Sequence, residues 1–363
     1  MTDHLLKSKR LLPLLITQFL GALNNNLFKN ALLILVTLRL AEQADVLSNV
    51  IAALFIIPFF LFSATAGEVS DKYDRSRVAR TLKVMELILM LAVGVVYLIQ
   101  SLPCLVILLA LMGAQSAFFG PVKYSLLPQQ LHPSELVAGN AYVEASTYVA
   151  ILLGLIVGTL LPIESVIVLL ITLAAVGVVS AWNIPQASPA RPKAIISKNI
   201  FKATKQTLSL IHQKKIVFRS ILGATWFWTI GAFIAVQIYP LSGNILRVSN
   251  TTITFFLILF SIGVALGSLA CEKMMKEVIN TTYIPICALA MGICFYMFYA
   301  LTNNYPVFNE NVGFVDFFLA RPNALGISLS LFLLAFFGGL YIVPLNAWMQ
   351  AKAPKPYIVS IFI

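Results

Sequence analysis

Charged residues are scarce in this 363-residue sequence. Asp, Glu, Lys and Arg together make up 11% of it, whereas a soluble domain typically has about 25%. Hydrophobic residues reach 60%, and the mean hydropathy is +0.91. This balance excludes an ordinary soluble protein and predicts an integral membrane protein. The formal net charge of +11 is then better explained by membrane topology than by nucleic acid, and no nucleic-acid partner is predicted.

Residues that bind metals or form disulfides are also few. The three histidines lie far apart, and the four cysteines stand singly in or beside apolar runs, without a CxxC pair or metal-ligand spacing. We interpret the cysteines as small core residues and predict no metal site. They are Cys104, Cys271, Cys287 and Cys294.

Signatures of catalysis are missing as well. An acyltransferase would need a His that is oriented by an Asp five residues later, but Val137 follows His132 and Val217 follows His212 at that spacing. No glycine-rich phosphate loop of the GKS or GKT type occurs. The sequence therefore predicts no enzymatic activity and no cofactor.

Long apolar runs fill most of the chain. Each is close to the about 20 residues with which a helix crosses about 30 Å of hydrocarbon. None alternates like a barrel strand, and a spanning backbone must satisfy its own hydrogen bonds. We therefore predict an all-α polytopic membrane protein with ten transmembrane helices. The runs cover residues 11–38, 48–66, 79–99, 103–127, 138–161, 165–183, 220–241, 251–271, 282–301 and 323–345.

The basic residues favour one side of the membrane. With the N-terminus in the cytosol, 20 of the 25 Lys and Arg residues fall in cytosolic segments, and the outer loops hold Arg39, Arg247 and Arg321. This distribution follows the positive-inside rule and predicts that both termini are cytosolic. The first run is too long for a secretory signal and has no small-residue cleavage site, so it predicts a retained helix.

A basic segment, 184–219, divides the spans six to four. It predicts a cytosolic linker between an N-terminal half, 1–183, and a C-terminal half, 220–363. The linker begins with three prolines and contains eight basic residues and no acidic one. Five residues at helical spacing, apolar except for Thr204, predict an amphipathic interfacial helix that lies on the inner leaflet and tethers the halves. These residues are Ile200, Phe201, Thr204, Leu208 and Ile211, with Lys198, Lys202 and Lys205 largely elsewhere on the helix.

An internal repeat supports two halves. Phe118–Gly120 in the fourth run recurs as Phe336–Gly338 in the tenth, as expected of parallel six-helix repeats. GxxxG patterns at Gly154–Gly158 and Gly263–Gly267 predict close helix contacts.

A short charged stretch, Gly67 to Arg77, joins the second and third runs. It holds three acidic and three basic residues, and by itself it fits an ordinary positive-inside turn. It also resembles the signature loop of major facilitator transporters, in which a Gly is followed by Asp at +4 and a basic cluster. Asp74 stands where that family usually has Gly. The resemblance implies the major facilitator fold and a gating role for Gly67, Asp71, Lys72, Arg75 and Arg77.

Longer motifs resemble the lysophospholipid transporter family of that superfamily. They lie at residues 18–32, 118–124, 126–129, 139–144 and 343–347. The resemblance implies twelve helices and inward transport of lysophosphatidylethanolamine-like lipids across the bacterial inner membrane. Some members are fused to an acyltransferase and an acyl-carrier-protein ligase, so the resemblance also implies such an enzyme, acting on the imported lipid, as a partner.

Two features depart from that family's pattern. Asn25 stands where the family usually has Asp. Because Asn has no negative charge, it cannot bind a proton, sodium or a substrate ammonium as an Asp carboxylate could. Ten predicted helices of twelve, with a short apolar end at Tyr357–Ile363, also lead us to expect a C-terminally truncated chain.

Polar residues share one face of the first run. Gln18, Asn25 and Lys29 follow helical spacing, and Asn26 and Asn30 flank them. A polar stripe with a Lys is too costly to face lipid, so it predicts either a wet cavity or a structural hydrogen-bond network between helices. The family resemblance implies that Lys29 binds a lysolipid phosphate, with Gln18, Asn25 and Asn26 as neutral partners.

Other candidates lie on later helices. Lys123 and Glu144 lie at similar depth before and after the fourth loop, which predicts an ion pair that is either structural or part of the substrate path. Gln237 in the seventh run is a further candidate for the polar lining. Glu86, near the inner end of the third run, is predicted to belong with the hinge.

Three functions remain open from the sequence. The first is a lysophospholipid transporter that works by alternating access, with lysolipid and membrane lipids as its partners. The second is another major facilitator carrier for small molecules, against which the first-helix motif argues. The third is a non-transporting truncated fragment.

Overall fold

The structure is a computed structural model that describes residues 3–40, 44–193, 196–197, 199, 209, 215–275, 279–303, 305–308 and 310–352. Within these ranges, ten helices are long and apolar enough to span a membrane, which confirms the predicted number. The regular structure is helical apart from an isolated bridge between Val248 and Val312. The predicted interfacial helix and the apolar end at 357–363 lie outside the described residues.

We number the ten long helices in chain order. With 20 to 29 residues each, they are about 30 to 44 Å long. Their bounds are α1 Leu12–Arg39, α2 Ala44–Lys72, α3 Arg75–Leu98, α4 Leu102–Gln130, α5 Leu136–Leu160, α6 Ile163–Trp182, α7 Lys215–Pro240, α8 Asn250–Met275, α9 Tyr283–Asn303 and α10 Ala324–Lys352.

The charged stretch between α2 and α3 is mostly helical rather than a loop. Helix α2 continues to Lys72 and α3 begins at Arg75, so that Tyr73 and Asp74 alone join them. Asp74 explains the early restart, because its Oδ1 accepts hydrogen bonds from the backbone N–H groups of Ser76 (2.9 Å) and Arg77 (3.1 Å). The residue that departs from the family pattern is thus the N-cap of α3.

The chain divides into two compact units. The first contains residues up to Gly139, Leu153–Phe218 and the chain from Met349, and the second contains Asn140–Leu152 and Arg219–Trp348. Helix α5 therefore contributes its middle part, Asn140–Leu152, to the second unit and both of its ends to the first.

In the first unit, α2 packs along α4, α1 packs along α6, and α3 packs against both α4 and α6. Aliphatic side chains fill the space between these helices and form an apolar core. This core lies toward the helix ends that carry few basic residues. Its fully buried members include Leu27, Leu32, Met90, Leu109, Met112 and Leu170.

In the second unit, small residues bring α8 and α10 together. A Cβ added at Gly267 would collide with the backbone carbonyl oxygen of Phe336, so only glycine permits this approach. The predicted close contact at Gly263–Gly267 therefore has α10 as its partner in this unit. A short helix that the apolar runs do not predict, Phe314–Ala320, packs its buried Phe317 against Phe256 of α8, with ring centroids 5.6 Å apart.

Candidate functional site

The polar stripe of α1 faces several neighbours in the first unit. Lys29 is half-buried, and its Nζ lies 5.7 Å from the ring centroid of Phe55 on α2. Asn25 is half-buried and donates from Nδ2 to the Ser116 hydroxyl of α4 at 2.8 Å. Gln18 is 2% exposed and so lies inside the protein. No ion pair includes Lys29 among the described residues.

The flanking asparagines of α1 serve helix packing. Asn30 donates from Nδ2 to the carbonyl oxygen of Leu155 (3.0 Å) and to the hydroxyl of Thr159 (3.1 Å), both on α5. Asn26 donates to the carbonyl oxygen of Ala22 within α1, on the side where Gly154 of α5 approaches. The bonds of Asn30 fit the structural alternative, a hydrogen-bond network between helices. Asn26 stays a candidate substrate contact through its side-chain oxygen.

Behind the stripe lies a buried ion pair. Lys83 Nζ is 2.7 Å from Glu86 Oε2, and the two side chains are 1% and 2% exposed. Asn24 of α1 donates to Glu86 Oε1 at 3.2 Å, and Gln115 of α4 donates to Oε2 at 3.4 Å. The pair thus connects α1, α3 and α4 in the middle of the first unit.

Lys83 is enclosed as closely as Glu86. Its ammonium lies 5.1 Å from the ring centroid of Phe119 and occupies the space that a Cβ at Gly21 would take. Its stem passes Gly177 of α6, where an added Cβ would lie 3.7 Å from Lys83 Cδ. Four helices therefore shape one position for a single side chain.

This ion pair corrects one interpretation from the sequence. Glu86 belongs to the polar network of α1 and α4 rather than to the hinge. The i, i+3 spacing of opposite charges in an otherwise apolar helix is the signal that could have found the pair. Gln115, Ser116 and Asn24 carry no comparable signal.

The predicted gating residues gather around Asp71. Asp71 Oδ1 is 3.3 Å from Arg75 Nη2, and both side chains are 1% exposed. Asp71 Oδ2 is 2.6 Å from Arg191 Nη2, and that side chain is 35% exposed. Arg75 also donates to the carbonyl oxygens of Ser70 (3.3 Å) and Ser125 (3.4 Å), which ties α2 to α4.

The other gating candidates differ in burial. Gly67 is buried in α2, Lys72 lies 5.8 Å from the ring centroid of Tyr73, and Arg77 is exposed near the start of α3. At Asp74, burial alone would raise the pKa, but the Ser76 hydroxyl and the N–H groups of Arg77 and Ser76 lower it below its ordinary value. The N-cap is therefore ionised at neutral pH.

The beginning of the linker lies across this cluster, and we call residues 185–193 the strap. Its backbone pairs with the α2–α3 turn: Arg75 N–H donates to the carbonyl oxygen of Ala187 (3.2 Å), and Arg191 N–H donates to that of Asp71 (2.7 Å). Gln129 and Gln130 at the end of α4 donate to the carbonyl oxygens of Ser188 (3.0 Å) and Pro185 (3.2 Å). The prolines disfavour helix in this segment, so its carbonyl groups can accept these bonds.

Just before the strap, Arg80 of α3 contacts the C-terminal end of α6. It donates to the carbonyl oxygens of Ala181 (3.4 Å) and Ile184 (2.9 Å), as basic side chains near a helix C-terminus commonly do. Just after the strap, the Ser197 N–H donates to Glu68 Oε2 at 2.7 Å. Through its described residues, the linker is therefore bound to α2, α3 and α4 close to where it leaves α6.

The remaining candidates lie at α4, α5 and α7. Lys123 Nζ is 4.7 Å from the ring centroid of Tyr124, whose carbonyl oxygen accepts a bond from Gln350 at 3.2 Å. In the second unit, Glu144 is fully buried and accepts a bond from Asn346 Nδ2 at 3.0 Å. Gln237 is exposed on α7. The pairing of Lys123 with Glu144 stays a prediction.

Metal ligands do not cluster in the described part of the chain. No group of three or more His, Cys, Asp or Glu side chains there could hold a metal ion. The four cysteines are unpaired, with Cys104 exposed and the other three buried.

Comparisons with known proteins agree with this architecture. The profile of the Major Facilitator Superfamily matches residues 14–362. The chain is 28% identical to the lysophospholipid transporter LplT of Escherichia fergusonii over 367 residues, which covers 98% of this chain and 83% of the relative. It is 26% identical to LplT of Cronobacter sakazakii over 365 residues, with 96% and 82% covered.

Solved structures are similar in fold at low sequence identity. The Escherichia coli fucose:proton symporter FucP superposes with a TM-score of 0.68 at 13% identity, covering 97% of this chain and 87% of that one. The human organic anion transporter MFSD10 gives 0.66 at 15%, covering 96% and 88%. At such identities the likeness concerns the fold alone. The resemblance stated from the sequence motifs is confirmed by the relatives.

Proposed function

Because the chain belongs to the Major Facilitator Superfamily and is a multi-pass membrane transporter, we propose that its substrate is a lysophospholipid. The relatives that match nearly its whole length are lysophospholipid transporters, which supports this substrate class. The proposed direction is inward across the bacterial inner membrane, by alternating access. An acyltransferase that consumes the imported lipid is the proposed partner.

The observation that carries the proposal is Lys29. A cation at membrane depth is costly unless it faces water, a counter-charge or a ligand. Among the described residues Lys29 has an aromatic ring beside it and no carboxylate in ion-pair distance. An ammonium has three donors and acts as a point charge, which suits the phosphate of a lysolipid. In this proposal, the negative charge of the phosphate balances the positive charge of Lys29, for which the described residues offer no carboxylate partner.

The amides around Lys29 fit the rest of the head group. Gln18, Asn25 and Asn26 can bond to a glycerol hydroxyl or an ester without introducing a second charge. With Asn at position 25, no carboxylate of α1 competes with the phosphate for Lys29. This supports a site that neutralises one phosphate with one lysine.

The cluster around Asp71 supplies the gate in this proposal. A buried carboxylate shared by two guanidinium groups holds α2, α3 and the strap in one arrangement. Conformational change then requires that at least one of these contacts is exchanged, which gives the gate two discrete states. Gly67, Lys72 and Arg77 complete the proposed gating segment.

Uptake measurements test the substrate. Labelled lysophosphatidylethanolamine is offered to spheroplasts that lack their own carrier, with this protein or an empty vector expressed. We expect uptake above the vector. Uptake equal to the vector, from well-expressed protein, contradicts a lysophospholipid substrate.

Substitution of Lys29 tests the site. Lys29→Gln should abolish lysolipid binding and leave thermal stability near that of the parent. The matched control is Lys9→Gln, which removes an exposed basic residue before α1 and should change neither property. Loss of stability with intact binding in Lys29→Gln would assign Lys29 to the scaffold.

A further inference from the structure

A chain of hydrogen bonds leads from the buried ion pair to the α1 stripe. Gln115 Nε2 donates to Glu86 Oε2 (3.4 Å) and to the carbonyl oxygen of Leu82 (3.1 Å). Ser116 Oγ donates to Gln115 Oε1 at 3.3 Å. Asn25 Nδ2 then donates to Ser116 Oγ at 2.8 Å. The chain begins at a buried charge and ends on a half-buried residue of the proposed substrate site.

The charge of Glu86 fixes the direction of every bond in this chain. A carboxylate only accepts, so Gln115 must turn its NH₂ toward Glu86 and its carbonyl oxygen toward Ser116. Ser116 then spends its single O–H proton on Gln115 and can only accept from Asn25. Asn25 must therefore present its NH₂ to Ser116, and its Oδ1 points away from the chain.

Lys83 keeps this direction from reversing. Its ammonium, 2.7 Å from Glu86 and enclosed by Gly21 and Phe119, supplies the counter-charge to the buried carboxylate. Removing Lys83 would leave Glu86 as an unpaired buried charge, so the pair is kept together. Glu86 is thus held as a pure acceptor.

The far end of the chain is an acceptor without a donor. Asn25 Oδ1 is buried and has no hydrogen-bond partner among the described residues, and the same is true of Asn24 Oδ1. Leaving a buried carbonyl oxygen unsatisfied is costly, so such a group is a candidate contact for a ligand donor. Asn25 lies on the same helical face as Lys29, one turn away.

We infer that Glu86, Gln115 and Ser116 are positioning residues that turn the amide of Asn25 so that its carbonyl oxygen receives a donor of the substrate. This inference rests on the proposed function. A lysolipid offers two kinds of donor, the free glycerol hydroxyl and the N–H groups of an ethanolamine head group. The site selects for a donor at this point, while Lys29 binds the phosphate.

Three lipids distinguish the donors in a binding assay on the purified full chain. Lysophosphatidylethanolamine has both donors, lysophosphatidylcholine has the hydroxyl but no N–H, and a deoxy analogue has hydrogen in place of the hydroxyl. We expect one of the last two to bind about five-fold more weakly, the effect of one hydrogen bond. Which one is weaker identifies the donor.

The positioning residues are tested through Ser116→Ala, which interrupts the series of hydrogen bonds between Gln115 and Asn25 and leaves the ion pair in place. Selectivity between the donor-bearing and donor-lacking lipid should then fall about five-fold, toward one, with thermal stability close to the parent. The matched control is Ser261→Ala, since Ser261 is similarly buried and bonds only within its own helix, to the carbonyl oxygen of Leu257. The control should keep the selectivity.

A double variant shows whether Ser116 acts through Asn25. Asn25→Leu should lose the same selectivity, and Asn25→Leu with Ser116→Ala should lose no more than Asn25→Leu alone. Additive losses, unchanged selectivity in Ser116→Ala, or equal binding of all three lipids by the parent overturns the inference. A parent that binds no lysolipid overturns the proposed function and this inference with it.

Discussion

The cluster at Asp71 predicts a definite order of stabilities. Asp71→Asn leaves the guanidinium of Arg75, 1% exposed, without a carboxylate, and breaking a buried pair in this way costs about 3 to 5 kcal/mol. Arg191→Gln leaves Asp71 paired with Arg75 and removes a side chain that is 35% exposed, so its cost should be about 1 to 2 kcal/mol. Arg77→Gln, in the same segment but exposed, should change the free energy of unfolding by less than about 0.5 kcal/mol.

A fourth variant separates the charge from the packing. Asp71→Asn combined with Arg75→Gln removes both members of the buried pair, so it should be less destabilised than Asp71→Asn alone. Denaturant titrations in detergent, followed by the fluorescence of the four tryptophans, give the free energies. If Arg191→Gln costs as much as Asp71→Asn, or if the double variant is the least stable of all, the buried charge of Arg75 is not what Asp71 compensates.

Other outcomes follow from single contacts. Asp74→Ala removes the N-cap of α3 and should cost about 1 kcal/mol near neutral pH. Because the pKa of Asp74 is lowered in the folded protein, this contribution is present above the ordinary Asp pKa of about 4 and should disappear as the pH falls through the folded pKa, as unfolding at several pH values would show. Gly267→Ala should reduce the yield of folded protein because the added Cβ meets a backbone oxygen of α10, whereas Gly292→Ala, with nothing within 4 Å, should not. Lys205→Cys in a cysteine-free background should resist labelling from the periplasmic side of intact cells, and efficient labelling would contradict the proposed orientation.

The helices of this protein were predictable because their physical cause is local. An apolar run of about 20 residues has one stable form in a bilayer, and all ten runs became helices. Their ends were less predictable, as α2 shows. The last turn of α2 is charged and lies beyond the apolar run, but it stays helical. Asp74 caps α3 two residues after α2 ends, and the strap forms backbone hydrogen bonds with Asp71 and Arg75 on either side of this connection.

The candidate site was predictable where one helix carries the pattern. The face shared by Gln18, Asn25 and Lys29 follows from the period of α1 alone. The ion pair behind it lies within α3, but its hydrogen-bond network joins three helices, and nothing local in the sequence says that α1 and α4 meet at Glu86. The strap was missed for the same reason: three prolines indicate an extended segment, but only the fold shows that Arg191 reaches Asp71.

The absence of a side chain at Gly21, which leaves room for the Lys83 ammonium, predicts a link between distant positions in evolution. A Cβ there would occupy the place of the Lys83 ammonium, so a larger residue at position 21 must either displace that ammonium from its place beside Glu86 or be accompanied by a different side chain at position 83. Lys83 in turn cannot be lost without leaving Glu86 as an isolated buried charge. Across relatives of this chain, substitutions at 21, 83 and 86 should therefore occur as linked sets, and a lineage that acquires alanine at 21 should show a neutral pair at 83 and 86.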